Sequence, residues 1–160
     1  MLVGEQPGDQ EDIAGEPFVG PAGQLLRASL EEAGLDPAEV FLTNAVKHFK
    51  WKPQGKRRIH EKPNREQVLA CRLWLDEEIE SVKPALIVAL GATAASTLLG
   101  SAAKVTRDRG KYFPSTLAPL VSLTVHPSSI LRAPDSAARA QARKEFVRDL
   151  KNFARKLKRI

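Results

Sequence analysis

The sequence contains a single cysteine, Cys71, among its 160 residues. A disulfide framework needs paired cysteines, so that class of small secreted protein is excluded, and one thiol is typical of the reducing cytoplasm. No apolar run approaches the roughly 20 residues needed to cross a bilayer, and the opening MLVGEQPG lacks the basic start and apolar core of a secretory signal. Internal repeats are also lacking. We therefore expect a cytoplasmic protein with no membrane contact.

Charge is unevenly distributed along the chain. The net charge of +6 hides an acidic front, because residues 1–46 carry nine acidic residues and one basic residue. Residues 47–66 carry eight basic and two acidic residues, and residues 139–160 carry nine and two. Clustered Lys and Arg favour a polyanionic partner, since phosphate contacts release counterions. We expect nucleic-acid contact at residues 47–66, a loop by composition, whereas the C-terminal block is equally consistent with a solvated helix face.

Strands and helices are predicted to alternate. Short apolar runs predict four buried strands, at Met1–Val3, Val40–Thr43, Leu86–Leu90 and Leu120–Val125. Helical periodicity occupies the intervening residues 21–33, 65–82 and 92–99 and the terminal residues 137–158. Such alternation predicts one α/β domain over residues 1–160, with a mainly parallel, four-stranded central sheet covered on both faces.

Helix ends are marked by residues with known end preferences. Gly34 is predicted to follow the first helix, Asn64 and Gln67 to cap the second, and Ser136 to cap the last. Only three residues precede Gly4, fewer than the five or six usual in a central strand. We therefore expect the chain to begin inside its first strand, with a short edge strand as the alternative.

Four segments follow the predicted strands, and ligands bind beyond the carboxyl ends of parallel strands. These segments are Gly4–Asp12, Asn44–His48, Gly91–Thr93 and His126–Arg132. We expect them to meet at one edge of the sheet and to form the functional site there.

The first segment, GEQPGDQED, combines a tight glycine turn with acidic side chains. Gly4 and Gly8 flank Pro7, and the acids include Glu5 and Asp9. Carboxylates would repel a phosphate, and the P-loop pattern is absent, so the turn is not a phosphate cradle. It suits activation of water or stabilisation of a developing cation. An acidic surface turn is the alternative.

Two further residues are candidates for holding a planar base. Phe18 lies in the loop PFVGPAG, where an aromatic ring can stack on a base or fill the core. Asn44 ends the second strand in TNAVKH, and its amide offers a donor and an acceptor that match the edge of a pyrimidine. Asparagine also ends strands for reasons of turn geometry.

Two histidine-containing motifs complete the set. In KRRIH, neighbouring Arg57 and Arg58 are expected to favour a neutral His60, which could act as nucleophile or base or contact phosphate. In HPSSILR, His126 lies at the edge of the sheet. Its neighbouring serines can bind DNA phosphate, and the apolar pair Ile130–Leu131 can act as a wedge in a base stack.

Together these motifs, in this order, resemble the uracil-DNA glycosylase superfamily, in particular its iron–sulfur family four. GEQPGDQED with KRRIH further resembles the UdgX-type subgroup, and the similarity runs from Leu2 to about Leu150. The resemblance implies a three-layer α/β/α fold and excision of uracil from DNA in base excision repair, with single-stranded DNA preferred. It also suggests a monomer.

The resemblance also implies roles for individual residues. It assigns Glu5 and Gln6 to activation of water or contact with uracil, Phe18 to stacking, and Asn44 to reading the uracil edge. His126 would stabilise the leaving base, and His60 would attack the sugar C1′ and leave the protein joined to DNA after one turnover. The expected substrate contacts also include Asp9, and the expected DNA contacts are Lys56, Arg57, Arg58, Ser128, Ser129, Leu131 and Arg132.

The cofactor of the family is where this sequence departs from the pattern. The resemblance implies a [4Fe–4S] cluster held by four cysteines, and Cys71 alone has a counterpart here. One thiolate cannot hold a cluster, so Cys71 is interpreted as a single remaining ligand or as a small buried side chain on its helix. Cluster binding by this chain is therefore not expected from its residues.

Three functions remain open at this point. The favoured one is a UdgX-type glycosylase that forms a covalent adduct between His60 and the abasic DNA. The second is an ordinary hydrolytic uracil-DNA glycosylase in which His60 contacts phosphate. The third is a non-catalytic DNA-binding module with the same fold.

Overall fold

The computed structural model describes residues 1–160 and contains a central sheet and a separate two-stranded hairpin. The strands are β1 (Leu2–Gly4), β2 (Leu42–Asn44), β3 (Trp51–Gln54), β4 (Arg57–His60), β5 (Leu86–Leu90), β6 (Tyr112–Phe113) and β7 (Leu120–Thr124). The helices are α1 (Asp9–Ala14), α2 (Pro21–Glu32), α3 (Arg65–Val82), α4 (Ala92–Leu99), α5 (Val105–Asp108), α6 (Pro127–Leu131) and α7 (Ser136–Leu157), with a 3-10 turn at Pro37–Glu39. No helix combines the length and the apolar character that crossing a membrane requires.

The central sheet has the strand order β2-β1-β5-β7-β6. All four predicted strands are present and run parallel, in the order β2-β1-β5-β7. The fifth strand, β6, is two residues long and pairs antiparallel with β7 at the edge, so its sequence gave no periodic signal. The α/β prediction is confirmed, with one edge strand more than predicted. The three-residue β1 lies between β2 and β5, so it is an interior strand and the alternative of a short edge strand is wrong.

The two faces of the sheet bury different residues because side chains alternate along a strand. Leu2, Val88 and Leu90 pack with α2, α6 and α7 on one face. On the other face, Val3 and Ile87 pack with α3 and α4. Helices thus cover both faces of the sheet and form the three layers implied by the resemblance.

Helix boundaries follow the predicted end signals closely. The side chains of Asn64 and Gln67 form a reciprocal capping box at the start of α3, and Gly34 has a positive φ of 76° just after α2. The predicted cap of the last helix is off by one residue, because the side chain of Asp135, not Ser136, accepts the hydrogen bond from the Ala138 amide.

Residues 51–60 are not a loop, and that prediction is wrong. They form an antiparallel hairpin in which Trp51 pairs with His60 and Gln54 with Arg57, around the turn at Gly55. Since its side chains are mostly charged and exposed, the hairpin shows no apolar alternation that would reveal strands in the sequence. The hairpin pairs with no strand of the central sheet.

Candidate active site

A cavity of about 880 Å³ opens at the carboxyl ends of β1, β2, β5 and β7. The chain passes from β1 outward to β2 and then returns to β5 on the opposite side of β1, so the sheet has its topological switch point here. Open parallel sheets leave a crevice at such a point. The segments after all four parallel strands meet in this cavity, as predicted.

Eleven of the fifteen residues that the sequence singled out line this cavity. They are Glu5, Gln6, Asp9, Phe18, Asn44, His60, His126, Ser128, Ser129, Leu131 and Arg132. Lys56, Arg57 and Arg58 belong to the hairpin outside the cavity wall, and Cys71 is buried on α3.

Three side chains converge on the floor of the cavity, at Gly4. A Cβ atom on Gly4 would collide with Asn44 Oδ1, and it would lie 2.7 Å from Phe18 Cζ and 3.4 Å from His126 Nε2. Any side chain at position 4 would therefore occupy the point where an amide, an aromatic ring and an imidazole meet. Glycine at the end of β1 therefore allows these three side chains to pack directly against the backbone.

Phe18 is held in an unusual backbone conformation. Its φ of 56° lies in the left-handed region, which costs a non-glycine residue on the order of 1–3 kcal/mol. Its carbonyl rests against Gly23 of α2, where any Cβ would overlap with it. The ring packs in the core cluster and stacks near His126, with centroids 5.9 Å apart and planes 27° apart. The core interpretation of Phe18 is therefore confirmed, and because the ring also lines the cavity, stacking on a base stays a prediction.

His126 caps α6, and the cap determines which ring nitrogen carries the proton. The backbone N–H of Ser128 donates to Nδ1 at 3.1 Å, so Nδ1 presents its lone pair and the proton of the neutral ring lies on Nε2. Burial lowers the pKa of His126 to about 4, with Arg132 lowering it further and Glu5 opposing the shift. The ring is thus a neutral donor whose Nε2–H faces the cavity floor near Gly4.

Glu5 is held between two elements of the cavity. Its Oε1 lies 3.0 Å from His60 Nε2, and its Oε2 accepts a hydrogen bond from the hydroxyl of Thr93 in the first turn of α4. The sequence placed Thr93 at the correct edge of the sheet but gave it no role. The only available signal was a hydroxyl two residues after Gly91, which follows β5.

Two tethers fasten the hairpin to the GEQPGDQED segment. The Gln6 amide donates to the carbonyls of Lys50 and Glu61 and accepts from the Lys50 N–H, each at 3.1 Å, across the base of the hairpin. The Arg58 guanidinium bonds Asp9 and Asp12, with a shortest N–O distance of 2.5 Å to Asp9.

These tethers change the interpretation of three predicted residues. The side chains of Gln6 and Asp9 are engaged with the hairpin, although both line the cavity. Arg58 also lies over the rings of Phe49 and Trp51. Its charge is balanced by two carboxylates, so in this structure Arg58 holds the hairpin in place.

The predicted apolar wedge is half wrong. Ile130 is 1% exposed and packs in the core under α6, so it cannot enter a base stack. Two adjacent residues of a helical turn point in different directions, which the sequence alone does not show when the helix is only five residues long. Leu131 remains at the lip of the cavity.

A cavity lined by both polar and apolar groups at the switch point of a doubly covered parallel sheet defines a ligand-binding α/β domain. The family model of the Uracil DNA glycosylase superfamily matches residues 1–151. The chain therefore belongs to the uracil-DNA glycosylase superfamily.

Three relatives support the same family. The chain is 41% identical to a type-4 uracil-DNA glycosylase of Pyrobaculum aerophilum over 160 residues, covering 96% of this chain and 75% of that protein. It is 40% identical to the type-4 enzyme of Thermotoga maritima over 133 residues, covering 82% and 66%. It is 37% identical to that of Saccharolobus solfataricus over 142 residues, covering 84% and 62%.

The residues of this chain do not fit a [4Fe–4S] cluster held by four thiolates. Cys71 is the single cysteine, it is buried, and its Sγ accepts a hydrogen bond from the Lys47 N–H at 3.3 Å. No group of three or more His, Cys, Asp or Glu residues stands close enough to hold a metal ion. The function proposed below includes no step through a cluster.

Proposed function

We propose that this protein is a uracil-DNA glycosylase that releases uracil from single-stranded DNA and captures the resulting sugar covalently through His60. The observation that carries the proposal is the position of the His60 ring, 3.0 Å from Glu5, in the same cavity as Asn44 and His126. These groups can serve one reaction centre.

Recognition of the base is assigned to the cavity floor. A flipped uracil would stack on Phe18 and present its O4/N3–H edge to the Asn44 amide, which offers both an acceptor and a donor. Gly4 lets the Asn44 amide and the Phe18 ring come together here, because a Cβ at this position would push them apart. Flipping costs a few kcal/mol and least in an unpaired strand, which supports single-stranded DNA as substrate.

Departure of the base is assigned to His126. Cleavage of the C1′–N1 bond leaves the electron pair on uracil, so negative charge grows on the base while the sugar becomes oxocarbenium-like. The neutral Nε2–H of His126 can donate a hydrogen bond to that charge. The Glu5 carboxylate, fixed by Thr93, can stabilise the cationic sugar.

Capture of the sugar is assigned to His60. The lone pair of one ring nitrogen forms the bond to C1′, and the proton on the other nitrogen is lost to solvent. The uracil anion takes a proton from water. Because no water has been added at C1′, the DNA remains attached and the protein turns over once.

Binding of the DNA backbone is assigned to the hairpin and to α6. Lys56 and Arg57 are exposed on the hairpin, and Arg132 is exposed at the lip beside Leu131. The Ser128 hydroxyl already contacts His126 Nδ1 at 2.8 Å, and the Ser129 hydroxyl donates to the His126 carbonyl. Phosphate contacts by these two hydroxyls would therefore be made in addition to the hydrogen bonds that hold His126.

A denaturing gel tests the proposal with an oligonucleotide that contains one uracil. We expect a heat-stable, slower-migrating protein–DNA band for the wild type and its loss in His60→Ser. Lys62→Gln removes a positive charge from another cavity residue next to the hairpin. It is the matched control and keeps the band. A shifted band that persists in His60→Ser would refute the assignment of the nucleophile.

Hydrolytic excision is the second candidate, and one observation favours it. Glu5 lies in the cavity where it could activate a water, and the named relatives are type-4 uracil-DNA glycosylases. In that case the wild type leaves a strand that alkali cleaves, with no shifted band. Retained DNA binding with no uracil release in either assay would identify a non-catalytic module.

A further inference from the structure

A row of cations runs along the solvent-facing side of α7, outside the candidate active site. Its members are Lys144, Arg148, Lys151, Arg155 and Lys158, joined at the end by Arg159, and all six are exposed. Successive members lie four, three, four and three residues apart, which keeps them on one face of a helix. We refer to these six residues as the α7 stripe.

The buried face of α7 repeats the same spacing. Phe146, Leu150 and Phe153 are at most 1% exposed and pack against the sheet. The α7 stripe therefore makes no contribution to the core, and the helix would fold against the sheet with neutral polar residues in its place.

No acidic side chain neutralises the stripe. The two acids of α7, Glu145 and Asp149, are both bound by Arg109, which reaches over from the end of α5. None of the six stripe residues takes part in an ion pair, whereas Arg143, off the stripe, pairs with Glu32. Six uncompensated charges within about 22 Å of helix, at 1.5 Å per residue, create a strong local positive potential.

The helix that carries the stripe packs beside the cavity wall. α6, which supplies Ser128, Leu131 and Arg132 to that wall, packs against α7. The Arg139 guanidinium donates to the Leu131 carbonyl, and Lys144 follows about 7.5 Å along the helix. Five residues turn a helix by about 140°, so the stripe lies on a different face of α7 from that contact. A strand that leaves the cavity past Arg132 therefore reaches the stripe by crossing the outer surface of α7.

We propose that the α7 stripe is a second DNA-binding surface that holds the phosphates of the strand flanking the flipped nucleotide. This inference rests on the proposed function for the identity of the polyanion. The stripe contains no aromatic or amide side chain that could read bases, so it contacts the backbone without sequence preference. Its length of about 22 Å, at 1.5 Å per residue, is enough to contact several successive phosphates of one strand.

The test measures binding of uracil-free oligothymidylates of 5 and 20 nucleotides as a function of salt, using the full chain. The variant is Arg148→Gln with Lys151→Gln, and the matched control is Lys83→Gln with Lys104→Gln, two exposed cations that do not belong to α7. Uracil-free DNA makes the result independent of whether the protein excises uracil.

We expect the stripe variant to bind the 20-mer about 25-fold more weakly at 0.1 M salt, with the salt slope reduced by about 1.4, since each single-strand phosphate contact contributes about 0.7 to the slope. Binding of the 5-mer, which the cavity alone can accommodate, is expected to stay at the wild-type level, as is binding of both oligonucleotides by the control.

Three results would overturn the proposal. An equal loss in the stripe variant and the control would show an effect of net charge alone, and unchanged binding of both the 20-mer and polyglutamate would show a solvated helix face. Polyglutamate is the third probe. If the stripe variant loses polyglutamate but keeps the 20-mer, the surface serves an acidic protein segment and the DNA assignment is wrong.

Discussion

The ring of His60 and the carboxylate of Glu5 lie at hydrogen-bond distance in the cavity, with 3.0 Å between Nε2 and Oε1. The two residues are 55 positions apart and belong to different sheets, since Glu5 follows β1 and His60 ends β4. Their meeting therefore depends on side chains that tie the hairpin to the central domain. Loss of a side chain that ties the hairpin to the domain should therefore have a different effect from loss of a reacting group.

Removal of the Thr93 hydroxyl should weaken the hold on Glu5. We expect Thr93→Val to slow formation of the covalent adduct about 10- to 100-fold, since a lost hydrogen bond to a charged group costs about 1.5–3 kcal/mol. Thr93→Ser keeps the hydroxyl and should restore the rate. Thr97→Val on the same helix, outside the cavity wall, is the control. Single-turnover kinetics on uracil-containing single-stranded DNA measure the effect, and equal rates for Thr93→Val and the wild type would contradict it.

Loss of the Arg58 tether should change the outcome of the reaction more than its rate. In Arg58→Gln the hairpin loses its bonds to Asp9 and Asp12, so His60 is no longer held over the sugar. We expect the ratio of covalent adduct to alkali-cleavable strand to fall, with uracil release retained. Arg57→Gln removes the same charge from the neighbouring residue without breaking an ion pair. A ratio that falls equally in both variants would indicate a charge effect.

A methyl group at Gly4 should displace the side chains that are proposed to hold the base. Gly4→Ala places a Cβ against Asn44 Oδ1 and the Phe18 ring, so one or both must move. We expect excision of uracil to fall at least 100-fold, while binding of uracil-free DNA stays unchanged because the proposed backbone contacts lie elsewhere. Fluorescence anisotropy and a gel assay measure the two effects separately. A variant that still excises uracil at the wild-type rate would show that the reaction does not depend on the positions of Asn44 and Phe18.

The lowered pKa of His126 should make the stability of the protein depend on pH. Because the folded pKa of about 4 lies below the unfolded value of 6.5, the unfolded state gains a proton first as the pH falls. Stability is therefore lost between about pH 6.5 and pH 4, and linkage gives a loss of about 2 kcal/mol between pH 7 and pH 5. Urea unfolding of the wild type and His126→Asn at both pH values checks this. The variant should lack this part of the loss, and an identical pH dependence in both proteins would contradict the buried neutral ring.

The parts of the fold that the sequence predicted are those whose local pattern agrees with their final environment. Leu86–Leu90 is a run of five apolar residues and is buried on both sides, so its limits were predicted to the residue. The helix after Asn64 was equally clear, because its cap and its apolar face are encoded locally. In contrast, β6 is a strand only because β7 offers it a partner, and two residues carry no period.

For the site, the sequence predicted the positions of some residues but not the contacts of others, for a related reason. Residues that follow buried strands, such as Glu5 and Asn44, could be placed at one edge of the sheet from topology alone. The hydrogen-bond partners of Gln6 and Arg58 lie 44 to 55 positions away in the sequence, and no motif spacing indicates these contacts. Ile130 shows the same limit, because only the packing of a short helix decides which of two adjacent apolar residues is buried.

The hairpin of residues 51–60 is joined to the rest of the domain by side chains and not by the main-chain ladder of the central sheet. Under the proposed function, ten residues therefore decide whether the same core releases an abasic strand or becomes permanently attached to it. Under the same proposal, replacing this hairpin alone changes a covalent outcome into a hydrolytic one, while the base pocket stays as it is.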